Sequence, residues 1–185
     1  MIIKQRKING IFEIVLSPLQ DHRGFFMRTY DQRLFAQHGL NLDWVQDNQS
    51  YSKKKGTVRG LHFQFPPHGE IKLIRVLLGE IFFVFVDLRK NSPTFGQWDH
   101  LVLSSKKNQM VYLPKGFALG SCTLTDHSTI LYKMGHYYVP ESCGTIQWND
   151  PDLAIDWPVK KAILSSRDAK AQSFKDFSKK WGGLE

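Results

Sequence analysis

Hydrophobic and polar positions alternate with a period of two, or run unbroken, over several short stretches of this chain. Ile71, Leu73, Ile74, Val76 and Leu77 lead through Gly79 into the apolar run 81–86, and the spacing predicts a hairpin of strands 71–78 and 81–88 with a glycine turn. Further strands are predicted over 97–103, 109–114, 129–134 and 136–139, the last two bounded by Gly135 and Pro140. Aromatic and β-branched enrichment, with turn residues at short intervals, points to an all-β sandwich or barrel. Two segments read as helices: 32–37, ending at Gly39, and 166–180, where Ser165 would cap and Asp168 would complete a weak capping box.

With 185 residues, 42% hydrophobic and 23% charged, one globular domain over 1–185 is expected, its C-terminal helix at about 166–180. No apolar run approaches a membrane span, and the polar opening stretch 1–7 is unlike a signal peptide. Two cysteines, Cys122 and Cys143, argue against a disulfide scaffold, so a cytoplasmic protein without a membrane partner is expected. The net charge of +8 admits a nucleic acid or a small polyanion as partner. The lysine clusters 53–55, 160–161 and 179–180 read as solvated loops, and no nucleic-acid binding is expected. Arg23, Arg59, Lys72 and Arg75 stand singly among apolar residues, where burial without a partner is costly, and an anionic ligand would relieve that cost.

The segment 58–65 carries the most chemistry. Alternation places Arg59, Leu61, Phe63 and Phe65 on one side and Val58, Gly60, His62 and Gln64 on the other. His62 is either a buried histidine bonded to a backbone carbonyl or a proton-transfer group, which would need an orienting carboxylate and a neighbouring acid. It has no closely spaced histidine partner, and Leu119 stands where 114–119, similar to the second cupin motif, would place one. No bound catalytic metal is therefore expected. Gly-rich phosphate loops and dinucleotide fingerprints are absent, and both cysteines read as structural.

Nine short motifs follow one another in register: Asp21-His22-Arg23-Gly24-Phe25-Phe26, Val45 to Ser50, Arg59 to Gln64, Lys72 to Arg75, Val86 to Arg89, Ser92 to Gly96, Pro114 to Ala118, Leu131 to Lys133 and Trp148 to Pro151. In this order the chain resembles the dTDP-4-dehydrorhamnose 3,5-epimerase family from about Phe12 to Asp168. The resemblance implies a metal-free, cupin-type double-stranded β-helix (jelly roll), usually a homodimer exchanging N-terminal strands. It further implies a cofactor-free epimerase that inverts C3, C5 or both in a nucleotide-diphospho-4-keto-6-deoxyhexose for deoxysugar biosynthesis. By matching motifs, His62 would be the base, Asp168 its orienting carboxylate, Tyr132 the acid on the opposite face and Lys72 the cation at the C4 oxygen. Arg23, Arg59 and Arg167 would face the diphosphate, and Gln46 and Asn48 the sugar or base edges. Arg28, Leu119, Tyr138 and Cys143 complete the substrate-binding set that the resemblance implies.

Structural alternatives stand beside these roles: Tyr132 as a strand aromatic, Asp168 as a helix cap, and Lys72 as a snorkelling edge residue. The chain also departs from the family, with Leu119 at a usual His, Phe83 at a usual Asp, and Arg28 and Cys143 at usual Glu positions. Leu and Phe in place of His and Asp remove hydrogen-bonding partners and make the implied wall more apolar, so a single-centre epimerase or one using another nucleotide sugar (CDP or GDP) is the alternative, and an inactive sugar-nucleotide-binding protein a remoter one.

Overall fold

A computed structural model of the protein describes residues 1–40 and 43–185. In chain order come β1 (Ile2–Gln5), β2 (Phe12–Val15), β3 (Leu19–Asp21), β4 (Gly24–Phe26), helix α1 (Gln32–Gln37), β5 (Gln46–Ser52), β6 (Val58–Gln64), β7 (Lys72–Leu78), β8 (Glu80–Asp87), β9 (Trp98–Ser104), β10 (Gln109–Leu113), β11 (Phe117–Thr123), β12 (Ser128–Met134), β13 (Cys143–Thr145) and helix α2 (Phe174–Trp181). Two antiparallel sheets carry the fold: a six-stranded one ordered β1-β2-β10-β7-β12-β5 and a five-stranded one ordered β13-β6-β11-β8-β9. β3 and β4 form a small hairpin of their own. This is the expected all-β jelly roll.

The predicted hairpin over 71–88 is not one. Both strands form, but β7 pairs with β10 and β12 while β8 pairs with β9 and β11, in the other sheet. Composition explains the crossing. Residues 81–86 are all buried, so β8 is apolar on both faces and needs cover on both. Ile81, Phe83 and Phe85 meet Ile74, Val76, Val111 and Ile130 between the sheets. Phe82, Val84 and Val86 meet Ile146, Leu153, Trp157 and Phe177 of the C-terminal segment on the outside. Gly79 makes the corner with φ +82°, where a Cβ would lie 2.5 Å from the Thr125 and Ser128 hydroxyls.

Two other expectations are corrected. Residues 136–139 are not a strand: their backbone is held by side chains in place of a ladder, Tyr138 N–H donating to Gln46 Oε1 (3.1 Å) and Val139 N–H to Gln64 Oε1 (2.7 Å). The helix expected over 166–180 is split. Asp168–Lys170 make one 3-10 turn, Ala171 and Ser173 are extended, and α2 begins at Phe174. Two Ser-x-x-Asp signals lie eight residues apart, and each closes its own turn: Asp168 N–H donates to Ser165 Oγ (3.1 Å), and Asp176 N–H to Ser173 Oγ (3.0 Å). Helix α1 forms over the predicted residues, capped by Asp31. Cys143 opens the short strand β13.

Candidate active site

β6 carries the central histidine, and strict alternation misplaces it. Val58, Leu61 and Phe63 pack outward onto the C-terminal segment, whereas Arg59 and His62 both face the space between the sheets. The register shows why: Leu119 of β11 lies opposite His62 but Ser121 lies opposite Arg59, so three steps along β6 match two along β11. One extra residue flips the phase, as in a bulge. Gly60 makes it possible with φ +110°, and a Cβ there would lie 2.3 Å from the Leu119 carbonyl oxygen. Arg59 therefore shares the face of His62, contrary to the period-two expectation.

The imidazole is held from behind. His62 Nε2 lies 2.6 Å from Asp168 Oδ1, a carboxylate only 4% exposed that the 3-10 turn after Ser165 brings back to β6. Burial pushes the Asp168 carboxyl up, but the hydrogen bond and charge of His62, with help from Ser165 and the Gly60 backbone, outweigh it and hold the group below the ordinary carboxylate range. An ionised Asp168 only accepts, so Nε2 carries a proton and donates, and in the neutral ring Nδ1 is the nitrogen that keeps its lone pair. Asp168 thus does more than cap a helix.

The opposing sheet supplies the rest. Tyr132 of β12, Lys72 of β7, and Gln46 and Asn48 of β5 line, with His62, a cavity of about 320 Å³ to which Tyr138, Cys143 and Arg167 also contribute. A second space of about 250 Å³ shares His62, Lys72 and Tyr132 and adds Arg59, Leu119, Phe83 and Ser121, so the two are adjoining parts of one cleft. Burial, and then the charge of Glu70, raise the Tyr132 phenol above its usual range, so it keeps its proton at neutral pH. Lys72, 8% exposed, is ion-paired with Glu70 and does not snorkel to solvent. Arg167 Nε donates to Thr145 Oγ1 (3.2 Å) beside His62, and Arg59 reaches the Tyr51 carbonyl (3.2 Å).

Two of the expected site residues lie elsewhere. Arg23 is on the exposed β3–β4 hairpin, paired with Asp21 at 2.6 Å, and Arg28 pairs with Asp31 at 3.3 Å; neither lines the cleft. Among the described residues no cluster of three or more His, Cys, Asp or Glu side chains could hold a metal ion. Burial pushes the Cys122 thiol up to about 11, which leaves it inert, and Cys143 is a free thiol at the cavity wall.

Known proteins give this arrangement a family. The sequence model of the dTDP-4-dehydrorhamnose 3,5-epimerase family matches residues 5–176. The chain belongs to that family. It is 42% identical over 173 residues to the dTDP-4-dehydrorhamnose 3,5-epimerase of Salmonella typhimurium, covering 92% of this chain and 94% of that one. The Mycobacterium tuberculosis rmlC epimerase superposes with a TM-score of 0.95 at 35% identity, over 100% of this chain and 94% of that one. A 3'-monoepimerase from Streptomyces bikiniensis, solved in complex with dTDP-quinovose, superposes with a TM-score of 0.89 at 31% identity, over 97% of this chain and 90% of that one.

Sequence reasoning missed three residues of this epimerase cleft. Glu70 is ion-paired with Lys72; its signal in the sequence is a carboxylate two residues before a cation in a strand-like run. Gln64 is 3% exposed and ties the loop before β13 in place, donating to the His68 carbonyl at 2.8 Å and the Tyr137 carbonyl at 3.2 Å while accepting from Val139. Met134 takes contacts from the Gln46 and Asn48 amides, and nothing in its hydrophobic setting marked it. No helix among the described residues is long and apolar enough to cross a membrane.

Proposed function

We propose that the protein inverts a carbon beside the ketone of a nucleotide-diphospho-4-keto-6-deoxyhexose, dTDP-linked, by proton transfer through an enolate in deoxysugar biosynthesis. The observation that carries this reading is the His62–Asp168 pair lining one cleft with Tyr132 and Lys72 of the opposing sheet. Protons beside a carbonyl become acidic only when negative charge on the oxygen is stabilised. His62 Nδ1 removes the carbon-bound proton, and the C–H electron pair moves into the carbonyl to give an enolate. Asp168 holds the ring and stabilises the imidazolium that forms. Lys72, drawn from Glu70 towards the ketone oxygen, offsets the developing charge there. Tyr132 then gives its proton to the same carbon from the opposite face, which inverts it; solvent reprotonates the phenolate and relieves the imidazolium. No metal or organic cofactor takes part in these steps.

Arg59 and Arg167 suit the diphosphate, since guanidinium forks match phosphate oxygens. Gln46, Asn48 and Tyr138 have side chains fit for the sugar and base edges. The assembly we propose is a homodimer. The β3–β4 hairpin stands apart from both sheets and exposes Leu19, Phe25 and Phe26, a surface a second copy would cover. Docked over the partner's cleft, it would deliver Arg23 to the diphosphate. The reaction fits a cytoplasmic enzyme.

Incubation with dTDP-4-keto-6-deoxyglucose in deuterated water tests the reading. Deuterium at C3, C5 or both is expected, and His62→Ala should lower the incorporation rate ~10²–10⁴-fold while nucleotide binding persists. No incorporation by the wild type, with binding retained, would mark an inactive binding protein and defeat the proposal.

A further inference from the structure

The strand register names the neighbours of the two proton-transfer residues. Towards the open edge of the cleft, His62 lies beside Thr145 of β13, and Tyr132 beside Asn48 of β5. Towards the core, His62 lies beside Leu119 of β11, and Tyr132 beside Ile74 of β7. Phe83 and Ile130 close the same wall one tier deeper. Ile74, Phe83 and Ile130 are almost wholly buried, and none of the four side chains can donate or accept a hydrogen bond. The hydroxyls in that lining, Ser50 and Ser121, belong to the deeper tier, Ser121 lying opposite Arg59. A ring held between His62 and Tyr132 therefore meets polar groups on its outer edge and, beside Leu119 and Ile74, a largely apolar inner edge, where the remaining polar side chains are Arg59 and Lys72, assigned above to the diphosphate and the ketone oxygen, and the two deeper serines.

The two carbons beside the ketone differ in what they present to such a wall. C5 carries a methyl group, which gains from apolar contact. In an ordinary 4-keto-6-deoxyhexose C3 carries a hydroxyl, which would lose water against Leu119 without gaining a partner. We propose that the preferred sugar of this epimerase lacks the C3 hydroxyl: the site takes a nucleotide-linked 4-keto-3,6-dideoxyhexose and inverts C5 alone, with Leu119 and Phe83 as the residues that set this preference. The proposal rests on the epimerase reading above and narrows its substrate. Atoms balance as before: the C5 proton leaves to His62, the enolate forms towards C4, and Tyr132 supplies the new C5 proton. C3, now a methylene, has no configuration to invert.

The test compares kcat/KM for deuterium incorporation at C5 between a 4-keto-6-deoxyglucose and its 3-deoxy counterpart, each pair carried on one nucleotide so that base preference cancels, with dTDP and CDP pairs both run. The wild type should favour the 3-deoxy sugar by ~10-fold or more, the value of one unpaired buried hydroxyl. Leu119→Asn, which restores a hydrogen-bonding group beside His62, should narrow that ratio by accelerating the 3-hydroxy sugar, and Leu119→Met should preserve it. Equal rates, or preference for the 3-hydroxy sugar with inversion at C3, would overturn the proposal and leave the epimerase reading standing. Incorporation into none of the sugars would overturn both. A folded Leu119→Asn enzyme with an unchanged ratio would remove Leu119 from the role assigned to it.

Discussion

Asp87 and Asp168 are both almost wholly buried, both end up below the ordinary carboxylate range, and they are held in opposite ways. Asp87, at the end of β8, takes hydrogen bonds from Arg89 (2.7 Å), Ser92 (2.7 Å) and Thr94 (2.6 Å), all within the next seven residues. Burial pushes its carboxyl up, and those partners more than reverse the push. Its charge is consumed inside one turn, which it fixes between β8 and β9. Asp168 meets His62 from 106 residues away in sequence, and the side chain of that partner remains 37% exposed to the cleft. The same physics of a buried charge serves geometry in one place and a reactive ring in the other. A saturated carboxylate stabilises; one whose partner keeps a free nitrogen at a cavity orients chemistry.

Substitution should separate the two. Asp168→Asn keeps the shape but offers an amide that can bind either tautomer of His62, so the imidazole is no longer poised with Nδ1 free. Solvent exchange should fall by ~10² or more, with a much smaller change in thermal midpoint, read by deuterium incorporation and calorimetry on the same preparation. Tyr132→Phe should divide the reaction differently. His62 can still take a proton and return a deuteron to the same face, so label should enter while net inversion drops ~10²-fold. Equal loss of labelling and inversion would remove Tyr132 from the role of opposite-face acid.

Asp87→Asn should reverse the pattern of Asp168→Asn. The neutral amide cannot satisfy Arg89, Ser92 and Thr94 together, and a buried charge-assisted network of this kind is worth about 2–3 kcal/mol. Stability measured by urea unfolding should drop by that order while kcat for the folded fraction stays within a few-fold. A large loss of kcat without loss of stability would show that the turn after β8 reaches the cleft.

Acid should attack both sites at once. Asp87, Asp99 and Asp168 all have their carboxyls depressed, Asp99 because hydrogen bonds from Arg6 and the His100 backbone outweigh the upward push of burial. A depressed folded-state value stabilises fully above the unfolded value of about 4 and is lost as pH falls through the folded one. Unfolding free energy should therefore be flat from neutral pH down to about 5 and decline below about 4. The Asp87→Asn variant should show a shallower decline, because one of these buried contributors has been removed.

Much of this was legible in the chain. Period-two patterning locates most of the strands, and the family resemblance carried by the motifs groups His62, Tyr132, Asp168 and Lys72 as candidates. Two of the differences share one cause. Alternation cannot register the residue inserted at Gly60, so Arg59 was placed on the wrong face. It cannot tell a strand covered on both faces from a hairpin partner, so β7 and β8 were paired although they belong to different sheets. Gln64 escapes because its work is done through contacts with the 137–139 backbone, which no spacing along the chain encodes, whereas Glu70 stands two residues before Lys72 and is legible once a carboxylate beside a lone cation is read as its partner.

The smallest expected effects sharpen the comparison most finely, because they use the two copies of one local signal. Ser173 caps α2 at its exposed end, and Ser165 closes the turn that carries Asp168. Ser173→Ala should cost about 1 kcal/mol of stability, the usual worth of such a cap, and leave exchange kinetics alone. Ser165→Ala removes a comparable hydrogen bond, but the residue it releases is the one holding His62, so its effect should appear in kcat, with KM nearly constant. If both serines cost only stability, the turn at 165–168 is held by packing and Asp168 needs no local support. If Ser165 alone changes kcat, a motif that reads identically in sequence is structural at one site and positions a proton-transfer residue at the other. The difference then lies in what the capped aspartate faces: solvent in one case, His62 in the other.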